Sequence, residues 1–176
     1  MRYSFPKIVV IHDDLTETDA LLVTLRAEFK DENVVLYKKS KEGLEYVINN
    51  ISQKTIVILD LNFKAGEPSG VDVFEEIRKR TALMYIIIMT ASNLGDIENT
   101  DLIKFINNDA LAFFYSTADT KAIVGLVKKS IYQMEVRVDS VIEEWIMTKP
   151  IEEREKPFIQ TQHGDKYSLN DILKGI

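Results

Sequence analysis

The chain predicts a doubly wound α/β domain, a five-stranded parallel sheet with helices on both faces. Two observations carry most of that expectation. Thr55 to Asn62 reads Thr-Ile-Val-Ile-Leu-Asp-Leu-Asn, four apolar residues running straight into Asp60. An apolar run of that length, bounded by polar residues, fits a strand buried on both faces, and such strands belong to parallel sheets covered by helices. Around it, further apolar runs alternate with segments of helical period, the pattern of a sheet wound from β-α units.

Taken in order, Lys7 to Ile11 is the first strand and runs into His12-Asp13-Asp14. Thr16-x-x-Asp19 has capping-box character and opens an amphipathic helix with Leu21, Leu22, Leu25 and Phe29 inward. Asn33 to Tyr37 is a short strand. A second helix covers about Lys41 to Asn50, with Leu44, Val47, Ile48 and Ile51 inward. The Asp60 strand is third. The loop Leu61 to Gly70 holds the turn formers Gly66, Pro68 and Gly70. A third helix covers about Val71 to Arg80. Met84 to Met89 is a fully apolar fourth strand ending at Thr90. Helix four covers about Ile97 to Asn107, and Leu111 to Tyr115 is the fifth strand, followed by Ser116. A long helix starts at Asp119 or Thr120.

Composition sets the outer bounds. A chain of 176 residues holds one domain with a full core plus an appendage. The net charge of −6 argues against a nucleic-acid surface, which needs clustered Lys and Arg. There is no cysteine, which excludes disulfides and thiolate metal sites. No signal-peptide pattern and no apolar stretch of about 18 residues is present, so a cytoplasmic address with no membrane partner is the default expectation.

Right-handed crossovers and a flavodoxin-like strand order 2-1-3-4-5 would put strands one and three side by side at the switch point. Asp13 and Asp60 would then face each other across one crevice, with Thr90 beside Asp60. Two carboxylates and a backbone carbonyl suit Mg²⁺. Asp60 would be the nucleophile toward a phosphoryl group, and the Thr90 hydroxyl would bind one of its oxygens.

At these residues the chain resembles the receiver domains of two-component response regulators. The resemblance covers about residues 5 to 132. It rests on Lys-Ile-Val-Val-Ile-His-Asp-Asp at 7–14, Val-Ile-Leu-Asp-Leu-Asn at 57–62, Ile-Met-Thr-Ala at 88–91 and Ala-Leu-Ala-Phe-Phe-Tyr-Ser-Thr at 110–117. It implies that Asp60 is the phosphoacceptor and that Asp13, Asp60 and the backbone carbonyl of Asn62 are the metal ligands. It also implies that Thr90 and Phe113 are the switch residues. A histidine kinase or another phosphodonor, and an effector protein or output domain, would be the partners.

Two positions depart from the family pattern. The acidic pair after strand one is His12-Asp13, and imidazole is a poor ligand for a hard cation. The usual Lys after strand five is Ser116, whose hydroxyl cannot supply the missing charge. Lys121, one turn further on, is expected to face solvent. The loop after Asp60 looks about two residues longer than in typical members. These changes point to an atypical or pseudo-receiver with weak or absent Mg²⁺. A phosphohydrolase with Asp60 as nucleophile is the alternative, but Asp60-Leu61-Asn62 lacks the second carboxylate of the haloacid-dehalogenase-like pattern. His163, before a Gly-Asp turn, carries no assigned chemistry.

The last helix has a second pattern. Val124, Val127, Ile131, Met134, Val138, Val141 and Trp145 are spaced alternately three and four apart, an a/d heptad stripe. The first three must pack on the sheet. Met134, Val138, Val141 and Trp145 extend past it, in the helical extension 133–149, and predict a homodimer through the helix from Asp119 to Lys149, unless the tail folds back over Trp145. Pro150 ends the helix, Glu152 to Lys156 reads as a charged linker, and residues 158–168 read as a small hairpin. Ser168-x-x-Asp171 caps a final short helix. The chain stops inside that element, which is the expectation for a fragment whose output region follows. Residues 150–176 would be its beginning, or a tail.

Overall fold

In a computed structural model, the chain is described over residues 6–51, 54–82, 84–90, 97–107, 110–115, 119–136, 138–162 and 164–175. The sheet comprises β1 (Lys7–Ile11), β2 (Val34–Tyr37), β3 (Thr55–Asp60), β4 (Tyr85–Thr90) and β5 (Ala110–Tyr115). All pairings are parallel and the strand order is β2-β1-β3-β4-β5. The helices between them are α1 (Ala20–Phe29), α2 (Ser40–Asn49), α3 (Gly70–Arg78) and α4 (Asn99–Asn107). After β5 come α5 (Thr120–Val136), α6 (Val138–Met147), α7 (Ile151–Arg154), the hairpin β6 (Pro157–Gln160) and β7 (Lys166–Ser168), and α8 (Leu169–Gly175).

Alternation along the strands makes two cores, one on each face of the sheet. Ile8, Val10, Ile56, Ile58, Ile87 and Met89 point to the face covered by α1 and α5, where Leu22, Leu25, Ile123 and Val127 meet them. Val9, Ile11, Val57, Leu59, Ile86 and Ile88 point to the other face, against Val47, Val73, Phe74, Ile77 and Phe105. Ile56, Val57, Ile58, Ile86, Ile87 and Ile88 are fully buried, as the apolar runs require. On the second face Gly43 allows α2 to come close: a Cβ there would meet Ile11 side-chain carbons at 2.8 Å.

Of the two expected caps, one does not form and one does. Thr16 N–H and Oγ1 both donate to Asp19 Oδ2 at 2.6 Å, but this pair closes a turn ahead of the helix. Asp19 is the N-cap residue of α1 and its side chain makes no cap hydrogen bond. Ser69 and Asp72 form the reciprocal box at the start of α3 instead. Ser168 and Asp171 exchange the same bonds at the start of α8, as their spacing predicts.

The segment after β5 differs most from a single free helix. α5 packs on the sheet through Ile123, Val127 and Met134. α6 lies across the opposite end of the sheet from the β-strand carboxyl termini. Its Glu143 accepts a 2.7 Å hydrogen bond from Thr81, four residues before β4, and its Glu144 pairs with Lys54, the residue before β3, at 3.4 Å. Glu143 and Ile146 are buried there, while Val141 and Trp145 stay exposed. The side chain of Val138 lies outside the described residues.

The expected linker at 152–156 is partly helical. Pro150 is the N-cap of α7, and its carbonyl accepts from the N–H groups of Glu153 and Arg154. Glu152 and Glu153 place negative charge in the first turn, where the helix dipole favours it. The hairpin forms as expected, with antiparallel pairing of Ile159 to Tyr167, and His163 lies outside the described residues. Phe158 meets the Trp145 ring at 5.8 Å, and Lys149 Nζ lies 5.0 Å from the same ring. The tail therefore does fold back on Trp145, while 43% of that residue remains accessible.

Candidate functional site

The site follows from strand register. Ile11 of β1 pairs with Leu59 of β3. The next residues, His12 and Asp60, therefore leave the sheet side by side at its carboxyl edge. Asp60 pairs with Met89 of β4, so Thr90 emerges one position further on the adjoining strand. This is the switch point of the sheet, where β1 and β3 lead to helices on opposite faces.

His12, Asp13 and Asp60 form one cluster, with one possible ligand atom from each residue lying within 4.8 Å of the others. His12 Nε2 is 3.9 Å from Asp60 Oδ2, and His12 Nδ1 is 3.9 Å from Asp13 Oδ1. All three side chains are largely buried. Burial raises the Asp60 carboxyl above its ordinary range, and the nearby Asp13 charge adds to this. His12 and the backbone N–H groups of Asn62 and Leu61 oppose the rise, with Leu61 N–H donating to Asp60 Oδ1 at 2.8 Å.

Gly70 positions the Asp60 end of β3. Its N–H donates to the Leu61 carbonyl at 3.0 Å, and a Cβ on Gly70 would lie 2.1 Å from the Asp60 carbonyl oxygen. Only a residue without a side chain lets α3 start this close to the strand end. On the far side of Asp60 a cleft of about 440 Å³ opens between the starts of α3 and α4. Asn62, Ser69, Asp72, Thr90, Glu98 and Lys104 are among the residues lining it.

Thr90 is buried at the floor of that cleft. Phe113 of β5 is half-buried and packs edge-on against Phe105 at 5.5 Å, within the second core. Asn62 is exposed. Ser116 lies outside the described residues. Met134 belongs to the core and not to an exposed stripe. Lys121 is exposed at the start of α5.

Sequence reasoning missed Lys64. It lies in the loop after β3, and its Nζ is 3.9 Å from Asp13 Oδ2 and 3.6 Å from Asp14 Oδ1. Nothing in the local pattern marks it; only the path of the loop over the end of β1 reveals it. The sequence shows His12 as a departure from the acidic pair, but its place between the two carboxylates emerges only from the register.

The fold is the receiver-domain fold of response regulators. The chain is similar to a response regulator receiver domain protein from Methanospirillum hungatei, with a TM-score of 0.61 and 20% identity over 75% of this chain and 98% of the other. It is similar to a response regulator receiver domain protein from Clostridium thermocellum, with a TM-score of 0.60 and 24% identity over 74% and 98%. A LuxR-family DNA-binding response regulator from Staphylococcus aureus matches with a TM-score of 0.56 and 19% identity, over 71% of this chain and 98% of that one. No protein-family model and no curated protein matches the chain. Among the described residues no helix is long and apolar enough to cross a membrane.

Proposed function

We propose that the chain is a signalling receiver module with a degenerate phosphorylation site, and that it relays a signal through protein–protein contacts rather than catalysing turnover. The observation that carries this reading is the carboxylate Asp60, buried at the switch point of a receiver fold with His12 and Asp13 around it. Asp60 is the candidate phosphoacceptor and Thr90 the candidate switch hydroxyl.

The donor set fits Mg²⁺ poorly. Mg²⁺ takes oxygen ligands, whereas here an imidazole stands beside the two carboxylates. That mismatch supports slow or unstable phosphorylation. The phosphodonor would be a histidine kinase or a small acyl phosphate. The receiving partner would be an effector protein or an attached output domain, in the cytoplasm. A homodimer through the exposed Val141 and Trp145 face of α6 is part of the same proposal.

Mass spectrometry after incubation with acetyl phosphate and Mg²⁺ tests the reading. The expected result is slow or no stable addition at Asp60. Rapid stoichiometric labelling with a large change in oligomeric state would reject the degenerate site and restore an ordinary phosphorylated receiver.

A further inference from the structure

We infer that the His12–Asp13–Asp60 cluster is a site for a divalent transition-metal ion of the Zn²⁺ class in place of Mg²⁺. The inference rests on the receiver reading of the same site and deepens it by naming the ligand. One imidazole and two carboxylates converge at adjoining strand ends, with mutual donor distances no greater than 4.8 Å. Metal–nitrogen and metal–oxygen bonds to Zn²⁺ are about 2.0–2.2 Å, so two donors on one ion stand roughly 3–4 Å apart. One ion can take only one nitrogen of the His12 ring, so only one of the two 3.9 Å separations, Nε2 to Asp60 or Nδ1 to Asp13, is a donor pair on it; that pair falls in the range, and the third donor lies within 4.8 Å. The cluster is walled by β1 and β3 and its side chains are largely buried, unlike acidic groups that merely share a surface.

The donor types decide which ion. Imidazole suits Zn²⁺ and its first-row neighbours, whereas carboxylate, carbonyl and water suit Mg²⁺. Replacing an acidic side chain by His at this position therefore changes the preferred cation as well as the charge. Two present contacts compete with an ion, and both sit at the wet edge of the site. Asp14 N–H donates to His12 Nδ1 at 3.2 Å, and the donor can turn to water. Lys64 holds Asp13 and Asp14 from an exposed loop. Its ammonium supplies cationic charge beside Asp13, and an arriving divalent ion would release it.

The test uses the full chain, stripped with chelator, in calorimetric titrations with Zn²⁺ and with Mg²⁺, and in Co²⁺ absorption spectra. One Zn²⁺ per chain is expected, bound more tightly than Mg²⁺. His12→Asn should weaken Zn²⁺ binding by at least ~10–100-fold, the loss that even an indirect partner of a ligand can cause. His12→Asp should shift the preference toward Mg²⁺, and Lys64→Ala should tighten Zn²⁺ binding. Zn²⁺ affinity unchanged in a folded His12→Asn variant overturns the inference. Acetyl phosphate labelling separates it from the receiver reading. Labelling of Asp60 that needs Mg²⁺ and ignores both Zn²⁺ and His12→Asn overturns the metal assignment and leaves the receiver standing. Zn²⁺ binding that depends on His12, with no labelling under either ion, supports the metal assignment and removes the phosphoacceptor.

Discussion

The Thr81 hydroxyl donates to Glu143 Oε1 across 62 positions of sequence, and both residues are buried. This bond ties α6 to the foot of β4. Thr81→Val keeps the shape of the side chain and removes the donor to a buried carboxylate. It should cost about 1–3 kcal/mol, read as a fall in the urea midpoint. Trp145, the single tryptophan, sits two residues from Glu143 and should report the loosening in its fluorescence. A midpoint equal to that of the unaltered chain would show that α6 is held by other contacts.

Ile58 and Ile87 pair across β3 and β4 and are fully buried. Truncating either to Ala should cost about 2–5 kcal/mol, because the packed sheet relaxes only partly around the cavity. Equilibrium urea denaturation measures this. A loss under 1 kcal/mol, on the order of a surface change, would argue against the central place of these strands.

Asp60→Asn should raise stability at neutral pH. The Asp60 carboxyl is raised in the folded state, chiefly by burial, so the folded chain holds that proton more tightly than the unfolded one. The stabilising contribution is complete below the unfolded carboxyl range and is lost as pH rises through the folded value. Above it the buried charge is a burden, which the amide lacks. Urea midpoints of the two proteins, in chelator, should differ at pH 7 and converge as the pH falls below 4. A lower midpoint for Asp60→Asn at pH 7 would mean that His12 and the Leu61 N–H outweigh the burial.

Gly70→Ala would force its Cβ onto the Asp60 carbonyl, 2.1 Å away, and onto Leu61 Cα, 2.6 Å away. Backbone cannot give as a side chain would, so the cost should be about 3 kcal/mol or more. Gly66→Ala in the same loop is the control. Its φ of +96° strains an L-residue but nothing lies within 4 Å, so the cost should be about 1–2 kcal/mol. Equal effects at the two glycines, measured by thermal unfolding, would contradict the close approach of α3 to β3.

Val138→Asp combined with Trp145→Asp should convert a dimer to a monomer in sedimentation while the receiver stays folded. Trp145 and Val141 offer the apolar face, although Phe158 already covers part of Trp145. An unaltered chain that sediments as a monomer at high concentration removes the dimer and leaves the tail as the partner of α6.

The fold was legible because its apolar runs have no other use. Ile56 to Leu59 and Tyr85 to Met89 fit a doubly covered sheet, where they are buried, and the flavodoxin-like strand order is one of the few topologies that right-handed crossovers leave. Asp60, Asp13 and Thr90 were legible because strand ends define the switch point. Lys64 was not, since a loop cation finds its partners only through a path that no periodicity encodes. The α6 arrangement was hidden for a different reason. The heptad pattern highlighted Val141 and Trp145, while Glu143, a charged residue that pattern places outside the stripe, is the one buried against Thr81.

The placement of α6 also sets it apart from the carboxylates. β3 carries Asp60 at one end and, through Lys54, meets α6 at the other. Its six residues span about 20 Å. Whatever contacts the carboxylates therefore does so a full strand's length from α6, and a change at one end of β3 need not disturb the other.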